Sequence, residues 1–330
     1  MTEPPSATEL ERAAETTESI RTAFRSQVVG QDRLLTAMLV AVMTEGHLLL
    51  ESVPGLAKTL ASSTLADAVS ASFSRIQCTP DLLPSDIVGT QVYDPRHHVF
   101  ETQLGPVHAN IVLLDEINRA SAKTQSAMLE AMQERQTSIA GEIHRLPRPF
   151  LVLATQNPID DEGTYVLPQA QMDRFLLKEV LDYPTREQEV GVLDRIADGT
   201  LGGTREVEAV VGVEHLLELQ RLASRVYVDA AIKRYVVDLV AATRETDRVL
   251  GPDLGGYVET GASPRGTIAF FTVARALAVL DGRPHVIPED VRELRHSLLR
   301  HRLRLTFDAL ADRVEPESII DAVFAAVPTP

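Results

Sequence analysis

The chain has 330 residues, 44% of them apolar, 24% charged and 5% aromatic with no Trp, and its 32 Lys plus Arg against 47 Asp plus Glu leave a formal charge of -15. That length suggests about two domains, each able to bury its own core, and the composition excludes intrinsic disorder and collagen-like repetition. Such acidity repels a phosphodiester backbone, so patch-driven nucleic-acid binding is not expected.

The N-terminal MTEPPSATELERAAETTES holds several Glu and no apolar signal-type stretch, so export is not implied. Between Ala7 and Arg25 no turn signal interrupts a run rich in Glu, Ala and Arg. The run reads as an amphipathic helix docked on the body or on a neighbour. The most apolar stretch, Leu34 to Leu50, is broken by Thr36, Thr44, Glu45, Gly46 and His47. It falls short of the roughly 18 uninterrupted apolar residues a membrane span needs, and LLTAMLVAVM reads as a buried helix. Membrane insertion is therefore not expected. The one cysteine, Cys78, lies in an apolar run and reads as a packed thiol, and the reducing cytoplasm is the expected compartment.

Short apolar runs alternate with helical patterns through residue 182: HLLLE (47–51), FSRIQC (73–78), NIVLLDE (110–116), PFLVLATQ (149–156) and RFLLKEV (174–180). Runs apolar on both faces belong inside a parallel sheet covered by helices, which predicts an α/β sandwich. From Tyr183 the pattern is helical only, so a second, all-helical domain follows, with Ile196 to Gly212 and its DGTLGGT as the hinge. Residues 1–182 carry 14 basic and 24 acidic groups, residues 183–330 carry 18 and 23, and neither part is basic. The local exception, Arg292 to Arg304, reads as a solvated or intersubunit helix face, with a phosphate-binding surface as the alternative.

The run HLLLE is followed by Ser52-Val-Pro-Gly-Leu-Ala-Lys58-Thr59 and then a helical pattern. Strand, turn, Lys-Thr, helix is the layout of a phosphate-binding loop, in which backbone N–H groups at the helix start surround a phosphate. Lys58 would reach the β and γ oxygens, and Thr59 would hold Mg²⁺. Both terminal glycines of the usual spacing are replaced, by Ser52 and Ala57, and Gly55 remains. Ala57 is expected to need no positive φ because it enters the helix; Ser52 is the less comfortable change. NIVLLDE ends in Asp115 and Glu116 at the sheet edge where ligands of parallel sheets bind. Asp115 would orient Mg²⁺ and Glu116 would polarise the attacking water, although an Asp-Glu pair can also open a helix. Asn157 follows FLVLATQ and could hold that water, with an Asn-Pro turn as the alternative. Arg174 in QMDRFLL and Arg265 in GASPRGT are the arginines available to stabilise charge on a transferred phosphoryl group. His97 and His98 lack a third ligand at metal-site spacing and read as a solvated hairpin tip.

These residues resemble the MoxR family of AAA+ ATPases. The resemblance runs from VVGQDRLL (28–35) through LLLESVPGLAKT (48–59), RIQCTPDLLPSDIVG (75–89), LLDEINRASAKTQSAMLEAMQE (113–134) and LATQNPIDDEGTYVLPQAQMDRFLL (153–177) to GASPRGTIAF (261–270) and PEDVRELRHSLLRHRL (288–303). It implies an AAA+ parallel-sheet αβα core at 28–182 behind a helical leader at 1–27. A β-hairpin would be inserted at about 82–105, and a helical lid would occupy 183–330. It implies ATP and Mg²⁺ as ligands. A Walker A at Ser52–Thr59 gives Pro54, Gly55, Leu56, Ala57, Lys58, Thr59 and Leu60 as nucleotide contacts, and Val29, Gly30 and Gln31 would border the adenine. Walker B is 111–116, with Thr59 and Asp115 on the metal. Glu116 is the catalytic carboxylate, Asn157 sensor 1, Arg174 a finger acting in trans and Arg265 a sensor 2 acting in cis. Arg119 would face a subunit interface. The family's usual proline and glutamate are Val166 and Gln169 here. By the same resemblance the chain would form a hexameric ring and work with a von Willebrand factor A (VWA) partner on a client protein or metal-containing complex. A nucleic-acid motor and a nucleotide-gated scaffold with little turnover are the alternatives.

Overall fold

The computed structural model describes residues 3–53, 55–157, 165–199 and 208–330. The chain forms two compact units, one of Thr16–Leu167 with Glu179–Leu217 and one of Met1–Glu15, Pro168–Lys178 and Glu218–Pro330. These limits differ from the expected blocks 1–27, 28–182 and 183–330. The start of the N-terminal helix and the segment carrying Arg174 group with the C-terminal helices.

The chain carries a five-stranded sheet of β1 (Leu48–Ser52), β2 (Phe73–Gln77), β3 (Ile111–Asp115), β4 (Leu151–Gln156) and β5 (Leu177–Leu181), in the order β2–β3–β4–β1–β5, with β1 to β4 in the first unit. The pairings β2–β3, β3–β4 and β4–β1 are parallel, as the doubly apolar runs predict. Every residue of β3 is buried, and each of Ile111, Val112, Leu113 and Leu114 contributes about 1.5–3 kcal/mol of transfer free energy. A charge placed among them would have no partner. The register sets Gln77 beside Asp115, Leu114 beside Ala154 and Glu51 beside Gln156. Strand β4 lies between β3 and β1, so Ser52, Asp115 and Asn157 come to one edge of the sheet.

Helix α1 spans Ala7–Gln27, and α2 (Asp32–Met43) is apolar all round and buried along nearly its whole length, as LLTAMLVAVM predicts. Helix α3 (Lys58–Ala68) follows β1, α4 (Ala122–Glu134) precedes β4, and α5 (Arg186–Ala197) follows β5. Among the described residues no helix is long and apolar enough to cross a membrane. The expected hairpin is present as Gly89–Asp94 paired with Val99–Leu104. Its base admits only glycine: a Cβ on Gly89 would lie 2.3 Å from the Gln103 carbonyl oxygen, and one on Gly105 2.2 Å from that of Ile87. A second hairpin, Gln136–Ile139 with Glu142–Arg145, turns through the positive-φ pair Ala140–Gly141. Its four-residue strands are too short for alternation to stand out in the sequence.

The longer helices of the C-terminal part are α6 (Val213–Arg225), α7 (Ala230–Ala242), α8 (Pro264–Leu280) and α9 (Pro316–Ala326). The region is not purely helical, because Val258–Thr260 pairs with Arg304–Leu305 as a small antiparallel ribbon. Within the basic run, read as a solvated or intersubunit face, Arg292 and Arg304 are exposed, but His301 and Arg302 are buried and most of the cations are paired. Arg295 and His296 share Asp321, Arg300 pairs with Glu317, Arg302 with Asp173 and Arg304 with Glu259. Carboxylates distant in sequence neutralise it, and spacing along the chain could not reveal them.

Candidate nucleotide site

The turn after β1 is built on left-handed backbone. Gly55 has φ +88 and Ala57 has φ +54 with ψ +23, after which α3 begins at Lys58. The expectation that position 57 needs no positive φ is overturned. The chain must reverse from strand end to helix start within a few residues, and a left-handed residue just before the helix completes the turn. Alanine there costs about 1 kcal/mol relative to glycine. Pro54 lies outside the described residues. Turns of this kind present successive N–H groups to an anion.

Ser52, the last residue of β1, is buried, and its hydroxyl accepts a 2.7 Å hydrogen bond from Lys58 Nζ. Burial lowers the Lys58 pKa, and the charges of Asp115 and Glu116 oppose that shift. Thr59 is half-buried at the second position of α3, Leu56 is buried and Leu60 is exposed.

The two carboxylates are held in separate networks. Asp115 is buried; its Oδ1 accepts from the Thr155 hydroxyl at 2.7 Å and its Oδ2 from Arg75 at 2.7 Å. Glu116 is itself left-handed (φ +57) and leads into a short turn of 3-10 helix, Ile117–Arg119, that neither carboxylate caps. Its N–H donates to the Thr155 hydroxyl at 2.9 Å, and its Oε2 accepts from Arg119 at 2.9 Å and from Gln77 at 3.2 Å. Arg119, read as an interface residue, bonds within its own chain. Sequence reasoning passed over Arg75, Gln77 and Thr155. The usable signal was register, since Arg75 and Gln77 lie two apart on one face of the strand beside Asp115. Asn157 follows β4 directly and is half-buried.

A cavity of about 530 Å³ opens beside the loop, lined by Val28, Val29, Gln31, Leu56, Leu60 and Leu193 among others. Its size and apolar walls suit a flat aromatic base. Gly55 and Ala57 border it as well, and the Val192, Leu193 and Ile196 face of α5, absent from the expected set, closes it. Gly30 is not on the wall. It has φ +74, the left-handed region that favours glycine, and the end of the Gln188 side chain of α5 lies over it. An ammonium held by a neutral hydroxyl, a buried carboxylate at the same sheet edge and an apolar cavity fit a nucleotide with its divalent cation.

Arg174 and Arg265 both belong to the other unit and are exposed. They share one frame: Asp173 accepts from Arg302 at 3.0 Å and from the Ser263 hydroxyl at 2.7 Å, and Ser263 caps α8 through the Arg265 N–H at 3.1 Å. Cys78 is buried, and burial pushes its thiol up to about 12, with Asp115 and Glu116 adding to the shift. His97 bonds Asp94 at 2.5 Å and His98 bonds the Tyr93 hydroxyl at 2.8 Å. Among the described residues no group of three His, Cys, Asp or Glu could hold a metal ion.

Residues 47–177 match the family model described as "ATPase family associated with various cellular activities (AAA)", and residues 255–323 match an AAA lid domain. The chain is 49% identical over 304 residues to Chaperone MoxR1 of Mycobacterium tuberculosis, covering 92% of this chain and 79% of that one. It is 30% identical to Protein MoxR of Paracoccus denitrificans, covering 93% and 94%. A crystal structure of a candidate ATPase from Cytophaga hutchinsonii superposes with a TM-score of 0.92 at 38% identity, covering 98% of this chain and 97% of that one.

Proposed function

Given that the chain belongs to the MoxR family of AAA+ ATPases, we propose that it hydrolyses ATP and spends the turnover on remodelling, maturing or activating a client protein or metal-containing complex. The observation that carries this reading is the convergence of Lys58 and Thr59 with Asp115, Glu116 and Asn157 at one sheet edge beside an apolar cavity. Lys58 would move from Ser52 to the β and γ oxygens of ATP. Thr59 and Asp115 would hold Mg²⁺, which supplies charge neutralisation on those oxygens. Glu116 would accept hydrogen bonding from the attacking water, with Asn157 positioning the same water. Arg174, presented to a neighbouring protomer, and Arg265 would stabilise charge on the transferred phosphoryl group. A hexameric ring, a VWA-type partner and a cytoplasmic location complete the proposal.

Phosphate release by the full chain with ATP and Mg²⁺, measured with and without co-purifying partner proteins, tests it. Turnover, with ATP-dependent hexamers by native mass spectrometry, is expected. No ATP-dependent phosphate release at any protein concentration would contradict it.

A further inference from the structure

We propose that Arg75 is the counter-ion of Asp115 in the resting site and must leave it before a divalent cation can bind there. This rests on the reading of Asp115 as a metal carboxylate. The residue is 9% exposed, and an unneutralised carboxylate so buried would be costly. Arg75 supplies the opposite charge at 2.7 Å from a side chain that is 49% exposed, so the guanidinium can turn into solvent without stranding a buried cation.

The two oxygens of Asp115 are not equivalent. Oδ1 is fixed by the Thr155 hydroxyl, which is fully buried and also accepts the Glu116 N–H. Only Oδ2, the oxygen that Arg75 holds, can change partner without disturbing the core. A guanidinium and a divalent cation repel each other across that oxygen, so one excludes the other.

A second link ties this exchange to Glu116. The same Arg75 nitrogen donates to Gln77 Oε1 at 3.1 Å, which turns the Gln77 amide so that its Nε2 donates to Glu116 at 3.2 Å. When Arg75 leaves, Gln77 loses the partner that orients it. The Gln77 contact to Glu116 then loosens, which leaves Arg119 as the partner of that carboxylate.

Binding of a fluorescent ATP analogue to the full chain, titrated with Mg²⁺, tests the exchange in wild type, Arg75→Gln and Arg75→Lys. For Arg75→Gln the half-saturating Mg²⁺ is expected to fall about fivefold, the order of a half-exposed charged contact. Its Mg²⁺-free nucleotide binding should weaken, because Asp115 then faces the phosphates unneutralised. Arg75→Lys keeps the charge with shorter reach and should fall between; it carries the comparison if the glutamine variant does not fold. Equal Mg²⁺ midpoints in wild type and a folded variant would overturn the exchange and leave the nucleotide reading standing. Wild-type binding that is absent or indifferent to Mg²⁺ would overturn both.

Discussion

Lys58 Nζ donates a 2.7 Å hydrogen bond to the hydroxyl of Ser52, the residue at the first glycine position of the proposed phosphate-binding loop. The bond holds the ammonium at the mouth of the loop but must break before the lysine can reach a phosphate. A half-exposed hydrogen bond of this kind is worth about 1 kcal/mol, or roughly fivefold in an equilibrium constant. Ser52→Ala is therefore expected to bind ATP about fivefold more tightly in a fluorescence titration. Weaker binding would mean that the hydroxyl prepares the lysine rather than competing for it.

Ala57 sits at φ +54 in the same loop. Relief of that strain predicts that Ala57→Gly raises stability by about 1 kcal/mol, ~2–4 °C in a thermal melt, despite the greater freedom of glycine in the unfolded chain. A lower melting temperature would show that the left-handed conformation costs this alanine little.

His47, just before β1, is buried between the Met132 carbonyl, to which Nε2 donates at 3.0 Å, and the Val152 N–H, which donates to Nδ1 at 3.1 Å. Burial lowers its pKa from 6.5 to about 4. The folded state thus binds a proton less readily than the unfolded one. The stability it contributes is whole above pH 6.5 and is lost as pH falls from there toward 4, by about 3 kcal/mol in all. Denaturant melts of wild type and His47→Gln across that interval check it: the wild-type slope should be the steeper. Parallel curves would contradict the assignment.

Arg302, 3% exposed, donates to Asp173 and to the Phe175 and Leu176 carbonyls. Burial pushes its pKa down to about 10. Asp173→Ala leaves this cation unpaired and should cost about 3–5 kcal/mol, whereas Asp173→Ala with Arg302→Met should recover much of it. Calorimetry distinguishes the two. An undiminished single variant would show that the backbone carbonyls alone suffice.

Much of the fold was legible because it rests on local pattern. The IVLL and FLVLA runs are apolar on both faces, and only the interior of a parallel sheet satisfies such strands. Asp115 ends the IVLL strand and Glu116 follows it, and Lys58 and Thr59 open the helix after the turn that leaves HLLLE, so these candidates could be placed at strand ends from local pattern. What stayed hidden depends on partners far along the chain. The Arg75–Asp115 pair spans two strands, the carboxylates that neutralise Arg295, Arg300, Arg302 and Arg304 come from other elements, and Ala57 adopts a conformation that residue type alone does not announce. The α5 wall of the cavity was missed for the same reason: its apolar face is defined by the loop it meets.

If Glu116 activates the water that attacks ATP, Glu116→Gln must separate binding from turnover when ATP binding and single-turnover phosphate release are measured on the same preparation. Binding within a few-fold of wild type is expected, with turnover lowered by about 10²–10⁴. Turnover equal to wild type in a variant that binds ATP normally would contradict it.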